Sequence, residues 1–281
     1  MPLAAVGQFC ATASIVANKS ICIDLIKKAA RQGAAMIFLP EASDFISRNA
    51  QEAKELTTAL STSEFIQGVQ NEAAASGIWV SVGVHESTTA AAENDKIYNT
   101  HVLIDSSGTI KSAYRKIHLF DVDIAGGPRL MESDTTEKGD AVGCPEMTPL
   151  GKLGLQTCYD MRFPEASIAL RSRGAELLAY PSAFTIKTGM AHWEVLLRSR
   201  AIETQTYVFA AAQIGQHNEK RASYGNAMIV DPWGTVLARC PDTANKPSIA
   251  LANIDLEYLT RIRTEMPVMS HRRTDLYPKI E

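Results

Sequence analysis

Three side chains, far apart along 281 residues, have the types and settings from which acyl-transfer chemistry can be built. Cys158 closes the apolar run Leu153-Gly154-Leu155-Gln156-Thr157, and a short turn then leads to Pro164, a residue suited to the first turn of a helix. A thiol at such a strand-to-turn corner stands at the carboxyl edge of a sheet, where α/β proteins bind ligands, and the N–H groups of the turn can hold an oxyanion. A buried structural cysteine is the alternative, and it is the reading adopted for Cys10, Cys22 and Cys240. Glu41 directly follows the apolar run Ala34 to Pro40. It is either a capping or ion-paired acid, or a general base in a cleft. Lys116, in Tyr114-Arg115-Lys116-Ile117-His118-Leu119-Phe120, is either half of an ordinary salt bridge or an ammonium beside the reacting groups. A cysteine nucleophile needs a base, and none of the six histidines stands in a recognisable thiol-protease setting. An acid, an ammonium and a thiol at three strand ends say more together than any one alone.

Competing chemistries fail on spacing. A phosphatase loop would need arginine at 164, where Pro164 stands; a P-loop would need glycine at 146, where Glu146 stands. Neither a G-x-S-x-G elbow nor an H-E-x-x-H helix occurs. A net charge of −3 and a pI near 6.1 argue against nucleic acid as a partner. No apolar run of about 18 residues predicts a membrane span, and the N-terminus reads as a strand rather than a signal peptide. Five scattered cysteines without a C-x-x-C pair predict neither a disulfide framework nor a zinc site, and fit a reducing, cytoplasmic setting, with a mitochondrial pool as a second location.

The elements that must position these groups recur as a helix feeding an apolar strand. Helical spacing predicts helices over 18–32, 63–76, a segment starting near Pro164, and 190–205. Gly33, Gly77 and Gly174 are the stops of the first three, and the paired strands are 34–40, 78–84, 177–181 and 207–212. Two segments echo each other as apolar-Asp-x-x-Gly-Thr-apolar, at Asp105 to Thr109 and Asp231 to Thr235, each predicting a hairpin. This order predicts a single α/β domain over 1–281, its two sheets packed face to face with helices outside. Residues 118–146, with Gly126-Gly127-Pro128, show no period, and connections of that length are often functional.

The motifs Phe38-Leu39-Pro40-Glu41, Tyr114 to Phe120 and Cys158-Tyr159-Asp160-Met161-Arg162-Phe163-Pro164-Glu165 resemble those of the nitrilase, or carbon–nitrogen hydrolase, superfamily. The resemblance spans nearly the whole chain. It implies a four-layer αββα sandwich and a catalytic Glu41, Lys116 and Cys158 that work without a metal or organic cofactor. It further implies a substrate-positioning glutamate at Glu132, with Glu137 nearby as the other candidate. The stretches Tyr180 to Phe184, His192 to Gln205, Glu219 to Gly225 and His271 to Tyr277 are similar to the branch that hydrolyses the terminal side-chain amide of deaminated glutathione. The products implied are a carboxylate and ammonia. Neighbouring readings are an ω-amidase of 2-oxo acid amides and a non-catalytic scaffold of the same fold. A substrate bearing carboxylates calls for a cation, and Arg162 is the candidate unless it braces the turn through Glu165; Tyr159 and Phe184 complete the expected pocket. The family also implies a homodimer through the apolar helix 190–205, no nucleic acid and no membrane.

Overall fold

A computed structural model describes residues 1–88, 96–123, 129–242 and 246–280. The expected helices form with the expected punctuation. Helix α1 (Ile15–Arg31) is capped by Ser14, whose side chain accepts from the Ala17 N–H, and it buries Cys22, Leu25, Ile26 and Ala29. Helices α2 (Ala50–Leu56) and α3 (Glu64–Ser76) follow; α3 is capped by Ser63 and ends at Gly77 in the left-handed region (φ 63°). Helix α4 (Pro164–Ser172) has proline at its first position. Helix α5 (Ile186–Thr204) begins four residues before its apolar spacing announces it, because Gly189 in its first turns weakens the helical signal. That glycine is needed for packing: a Cβ there would lie 2.2 Å from the Tyr224 ring. Helix α6 (Leu256–Glu265) completes the set described.

Among the described residues the larger sheet has nine strands. Its path runs Ala222–Tyr224, Ala212–Gln216, Leu3–Phe9, Ala34–Phe38, Trp79–Ser87, Ile97–Ile104 and Ile110–Arg115, with Ser248–Asn253 and Thr136–Glu137 paired beside it. The smaller sheet has six: Val236–Arg239, Met228–Val230, Tyr207–Ala210, Leu177–Ala179, Gly151–Leu155 and Glu146–Thr148. Both echoing segments are hairpin turns of one geometry. Asp105 Oδ1 accepts from the N–H groups of Ser107 and Thr109, and Asp231 Oδ1 from those of Trp233 and Thr235. Gly108 (φ 81°) and Gly234 (φ 90°) supply the left-handed residue of each turn. The expected strand 207–212 is in fact two. The chain leaves the smaller sheet after Ala210 and enters the larger one at Ala212. Periodicity misses this crossing because both halves are buried on both faces.

The sheets pack face to face, with α1 and α3 over the larger and α4 and α5 over the smaller, so the architecture is the αββα sandwich. Val6, Met36 and Phe38 meet Leu153, Leu177 and Phe209 between the sheets, and the rings of Phe38 and Phe209 stack 4.3 Å apart. Burying such a side chain contributes about 1.5–3 kcal/mol. Polar ties fix how the sheets align. Buried His101 joins Ser81 Oγ (2.6 Å) in its own sheet to the Gln156 carbonyl (2.9 Å) beside the other. Burial lowers its pKa to about 4, so the ring is neutral at neutral pH and each nitrogen has a partner. Within 118–146, Asp121–Asp123 pairs with Arg129–Met131, and a 3₁₀ turn follows at Glu132–Asp134; Gly126-Gly127-Pro128 lies outside the described residues.

Candidate active site

The three strand ends converge at the seam between the sheets. Glu41 and Lys116 leave the larger sheet, after Ala34–Phe38 and Ile110–Arg115; Cys158 leaves the smaller, after Gly151–Leu155. All three side chains are buried. Lys116 Nζ donates to Glu41 Oε1 at 3.1 Å and to Glu132 Oε1 and Oε2 at 3.0 and 2.8 Å. The Cys158 thiol interacts with the Glu41 carboxylate, the Lys116 ammonium and the Ala183 N–H. Of the two glutamates open in the sequence, Glu132 is therefore the one beside Lys116; Glu137 Oε1 accepts from the Lys138 N–H.

Backbone geometry aims these groups. Cys158 adopts φ +45° at the start of a 3₁₀ turn, Cys158–Arg162, and its N–H donates to the Pro181 carbonyl at 3.0 Å. A non-glycine residue in the left-handed region carries strain, which the surrounding bonds hold in place. The next N–H, of Tyr159, belongs to the first turn, where amides have no partner within the helix. Glu41 is set similarly: Ala42 after it has φ +53°, and its carbonyl accepts from Gln213 Nε2 at 2.9 Å. The neighbouring strand presses close, since a Cβ on Gly83 would sit 2.6 Å from the Glu41 Cα.

The electrostatics define a resting state. Burial pushes the Glu41 carboxyl up, but the Lys116 ammonium and the hydrogen bonds from Cys158 and Asn99 outweigh it and hold the group below its usual range. Burial, and then the Glu41 charge, push the Cys158 thiol well above its usual value, with Lys116 pulling the other way. Burial pulls the Lys116 ammonium down, yet the charges of Glu132 and Glu41 raise it well above its usual value. The groups therefore rest as carboxylate, ammonium and thiol. The thiol proton already faces an acceptor, and the ammonium stays charged to meet developing negative charge.

The other expected residues form one wall. Arg162 lies over the rings of Tyr159 and Phe184, each 5.6 Å from its Cζ, and Nη2 meets His192 Nδ1 at 3.1 Å. It approaches His192 rather than Glu165, which is exposed. Phe184 is buried edge-on to Trp193, and Tyr159 edge-on to Phe120 and Phe163.

Two residues in the site escaped the sequence reading. Asn99 donates through Nδ2 to Glu41 Oε1 (2.7 Å) and Glu132 Oε1 (3.2 Å). Its signal was a run of polar residues, Asn99-Thr100-His101, inside an otherwise apolar strand. Asp160, fully buried, accepts from the Tyr114 hydroxyl (2.8 Å), the Thr157 N–H (2.8 Å), and the N–H (3.1 Å) and Nδ1 (2.8 Å) of His118. Tyr114 and His118 flank Lys116 by two residues on either side, so Asp160 ties the lysine segment to the cysteine turn. Its signal was an acid two residues after the cysteine, where a turn's N–H groups seek an acceptor. Among the described residues no cluster of His, Cys, Asp and Glu is arranged to hold a metal ion.

Comparisons with known proteins bear on the family. The carbon–nitrogen hydrolase family profile matches residues 3–264. The chain is 51% identical over 278 residues to deaminated glutathione amidase of Homo sapiens, covering 99% of this chain and 84% of that one. It is 50% identical over 281 residues to the probable hydrolase nit2 of Schizosaccharomyces pombe, covering all of both. The crystal structure of the Caenorhabditis elegans NitFhit protein superposes with a TM-score of 0.91 at 45% identity, covering 98% of this chain and 66% of that longer one. A family profile over nearly the full length, on a fold that joins an acid, an ammonium and a thiol at one seam, leaves one assignment: the chain belongs to the carbon–nitrogen hydrolase family, and it is an enzyme that hydrolyses amides.

Proposed function

We propose that this hydrolase cleaves an amide of deaminated glutathione, with Cys158 as nucleophile, Glu41 as general base and acid, and Lys116 as oxyanion partner. The observation that carries the chemistry is a buried Glu41 carboxylate that meets the Lys116 ammonium at 3.1 Å and interacts with the Cys158 thiol. Glu41 takes the thiol proton as sulfur bonds to the amide carbon. The Tyr159 N–H donates to the resulting oxyanion, one such donor typically lowering the barrier by about 2.7–4 kcal/mol, and the Lys116 ammonium, its three N–H groups held by Glu41 and Glu132, stabilises it by charge. Collapse breaks the C–N bond, and Glu41 returns the proton to the departing nitrogen. Water then attacks the thioester, giving one proton to Glu41, and the second tetrahedral intermediate collapses to release the carboxylate and restore the thiol. Glutathione holds only secondary amides, so its deaminated form releases an amine; ammonia is the product of a primary amide.

The substrate reading rests on the relatives' name and on Arg162, a cation standing over Tyr159 and Phe184 where a substrate carboxylate can reach it. The discriminating measurement is kcat/KM for deaminated glutathione against 2-oxoglutaramate. We expect the first to exceed the second by about tenfold or more, the span of one charged hydrogen bond; an equal or reversed ratio would move the substrate to the 2-oxo acid amides.

The outer face of α5 supports a homodimer. Trp193, Leu197 and Ala201 turn inward, whereas Val195 and Ile202 are exposed at 65% and 45%. Trp233 and Leu237 of the adjoining hairpin extend the apolar surface, and Arg198 and Glu194 tie the helix to it through the Gly234 carbonyl and Arg239. A second copy presenting the same face would cover it isologously. Analytical ultracentrifugation at micromolar concentration should show a 61 kDa-class species, about twice the 30.5 kDa chain; a monomer would reject the dimer. No helix among the described residues is long and apolar enough to cross a membrane, and the free, unpaired cysteines fit a reducing compartment such as the cytoplasm.

A further inference from the structure

Glu132 has no acceptor capacity left for a substrate. A carboxylate offers about four lone-pair sites, and here each oxygen already takes two donors. Oε1 receives Lys116 Nζ at 3.0 Å and Asn99 Nδ2 at 3.2 Å; Oε2 receives Lys116 Nζ at 2.8 Å and the Phe120 N–H at 2.7 Å. Glu41 Oε1 is filled by the same pair, at 3.1 and 2.7 Å, and the carboxylate also takes the thiol. The acceptor left over is Asn99 Oδ1, which is buried without a hydrogen-bond partner. Turning the amide over would set that oxygen against two carboxylates, so its nitrogen must face them and its oxygen must be the free atom. An unpaired buried carbonyl is costly, and a ligand N–H relieves that cost.

We infer that Asn99 Oδ1 accepts the N–H of the scissile amide, and that Glu132 acts one step back by holding Lys116. This deepens the amidase reading and rests on it. Asn99 Nδ2 and Oδ1 share one amide group, so the bond from Nδ2 to Glu41 at 2.7 Å fixes the oxygen one amide width from the carboxylate that delivers the proton. An N–H held there directs the nitrogen lone pair of the tetrahedral intermediate toward Glu41. The C–N bond breaks with its electron pair going to nitrogen, and the Glu41 proton follows. The site then favours primary and secondary amides over acyl groups whose leaving atom carries no hydrogen.

The test compares kcat/KM for 2-oxoglutaramate and for the 5-methyl ester of 2-oxoglutarate, which share an acyl group and differ in the leaving atom. Losing Nδ2 in Asn99→Ala slows both; losing Oδ1 slows the amide alone, so the amide-to-ester ratio falls about tenfold. In Glu132→Gln the ratio stays at the wild-type value even though both rates drop. Equal losses on both substrates in Asn99→Ala, or a fall in ratio in Glu132→Gln, overturns the assignment. Should Asn99→Ala not fold, Asn99→Asp keeps an acceptor while losing the donor, and its ratio must remain near wild type; a fall in that ratio overturns it. An unaltered protein that turns over neither compound would instead refute their use as substrates and point back to the parent reading.

Discussion

Cys158→Ala is expected to cut amide hydrolysis by on the order of four to six orders of magnitude, the usual cost of losing a nucleophile whose partners act as a unit. The protein should stay folded. Alanine tolerates the left-handed backbone of this turn no worse than cysteine, and the N–H bond to the Pro181 carbonyl does not involve the side chain. Steady-state rates beside a thermal melt decide the matter: turnover above a hundredth of wild type with an unchanged melt would mean that the nucleophile lies elsewhere. No other cysteine can take over. Cys22 and Cys240 are buried outside the site, Cys10 contacts His217 and the Gln216 carbonyl, and Cys144 is exposed.

Lys116→Met should damage both chemistry and fold. Nζ is the cation between two glutamates, one fully buried and one largely so. Removing one partner of a buried pair costs about 3–5 kcal/mol, because an uncompensated charge is left behind. Without the ammonium, burial raises the Glu41 pKa, and a protonated Glu41 cannot accept from the thiol. The sign of the pH dependence follows. In the wild type, Glu41 is held below its usual pKa, so its contribution to stability is present above about pH 4.5 and is lost as pH falls through the folded value. His101, lowered to about 4, acts in the same direction between about pH 6.5 and 4, since the unfolded chain binds its proton first. In the variant the Glu41 carboxyl is raised instead, so acidification from neutrality protonates it and removes its penalty. Denaturant melts at pH 7.5 and pH 5 should therefore show the gap between wild type and variant shrinking at the lower pH. A gap that widens would contradict the ion-pair account.

The acid and the thiol were legible because each follows an apolar run, and the ammonium because it ends a strand as a cation flanked by apolar residues. Helix ends were legible where Ser63 and Gly77, or Pro164, marked them. What stayed hidden was hidden for physical reasons. Asn99 and Asp160 act through hydrogen bonds to residues from 33 to 58 positions away, and no local pattern records such partners. The early start of α5 was masked by Gly189, whose value lies in the space it leaves for Tyr224. The switch of sheets at Ala211 was invisible because one uninterrupted apolar stretch serves two layers. Glu132 was separable from Glu137 only once the fold carried one of them to Lys116.

The reacting groups are divided between two layers: proton acceptor and cation on one, sulfur on the other. Neither layer alone holds even a crippled version of the catalyst. Competence requires the two layers docked in register, so turnover reports on their packing rather than on the amount of helix or strand. A partly denatured population that keeps its regular backbone but lets the layers slip by one residue would look native to circular dichroism and be inert.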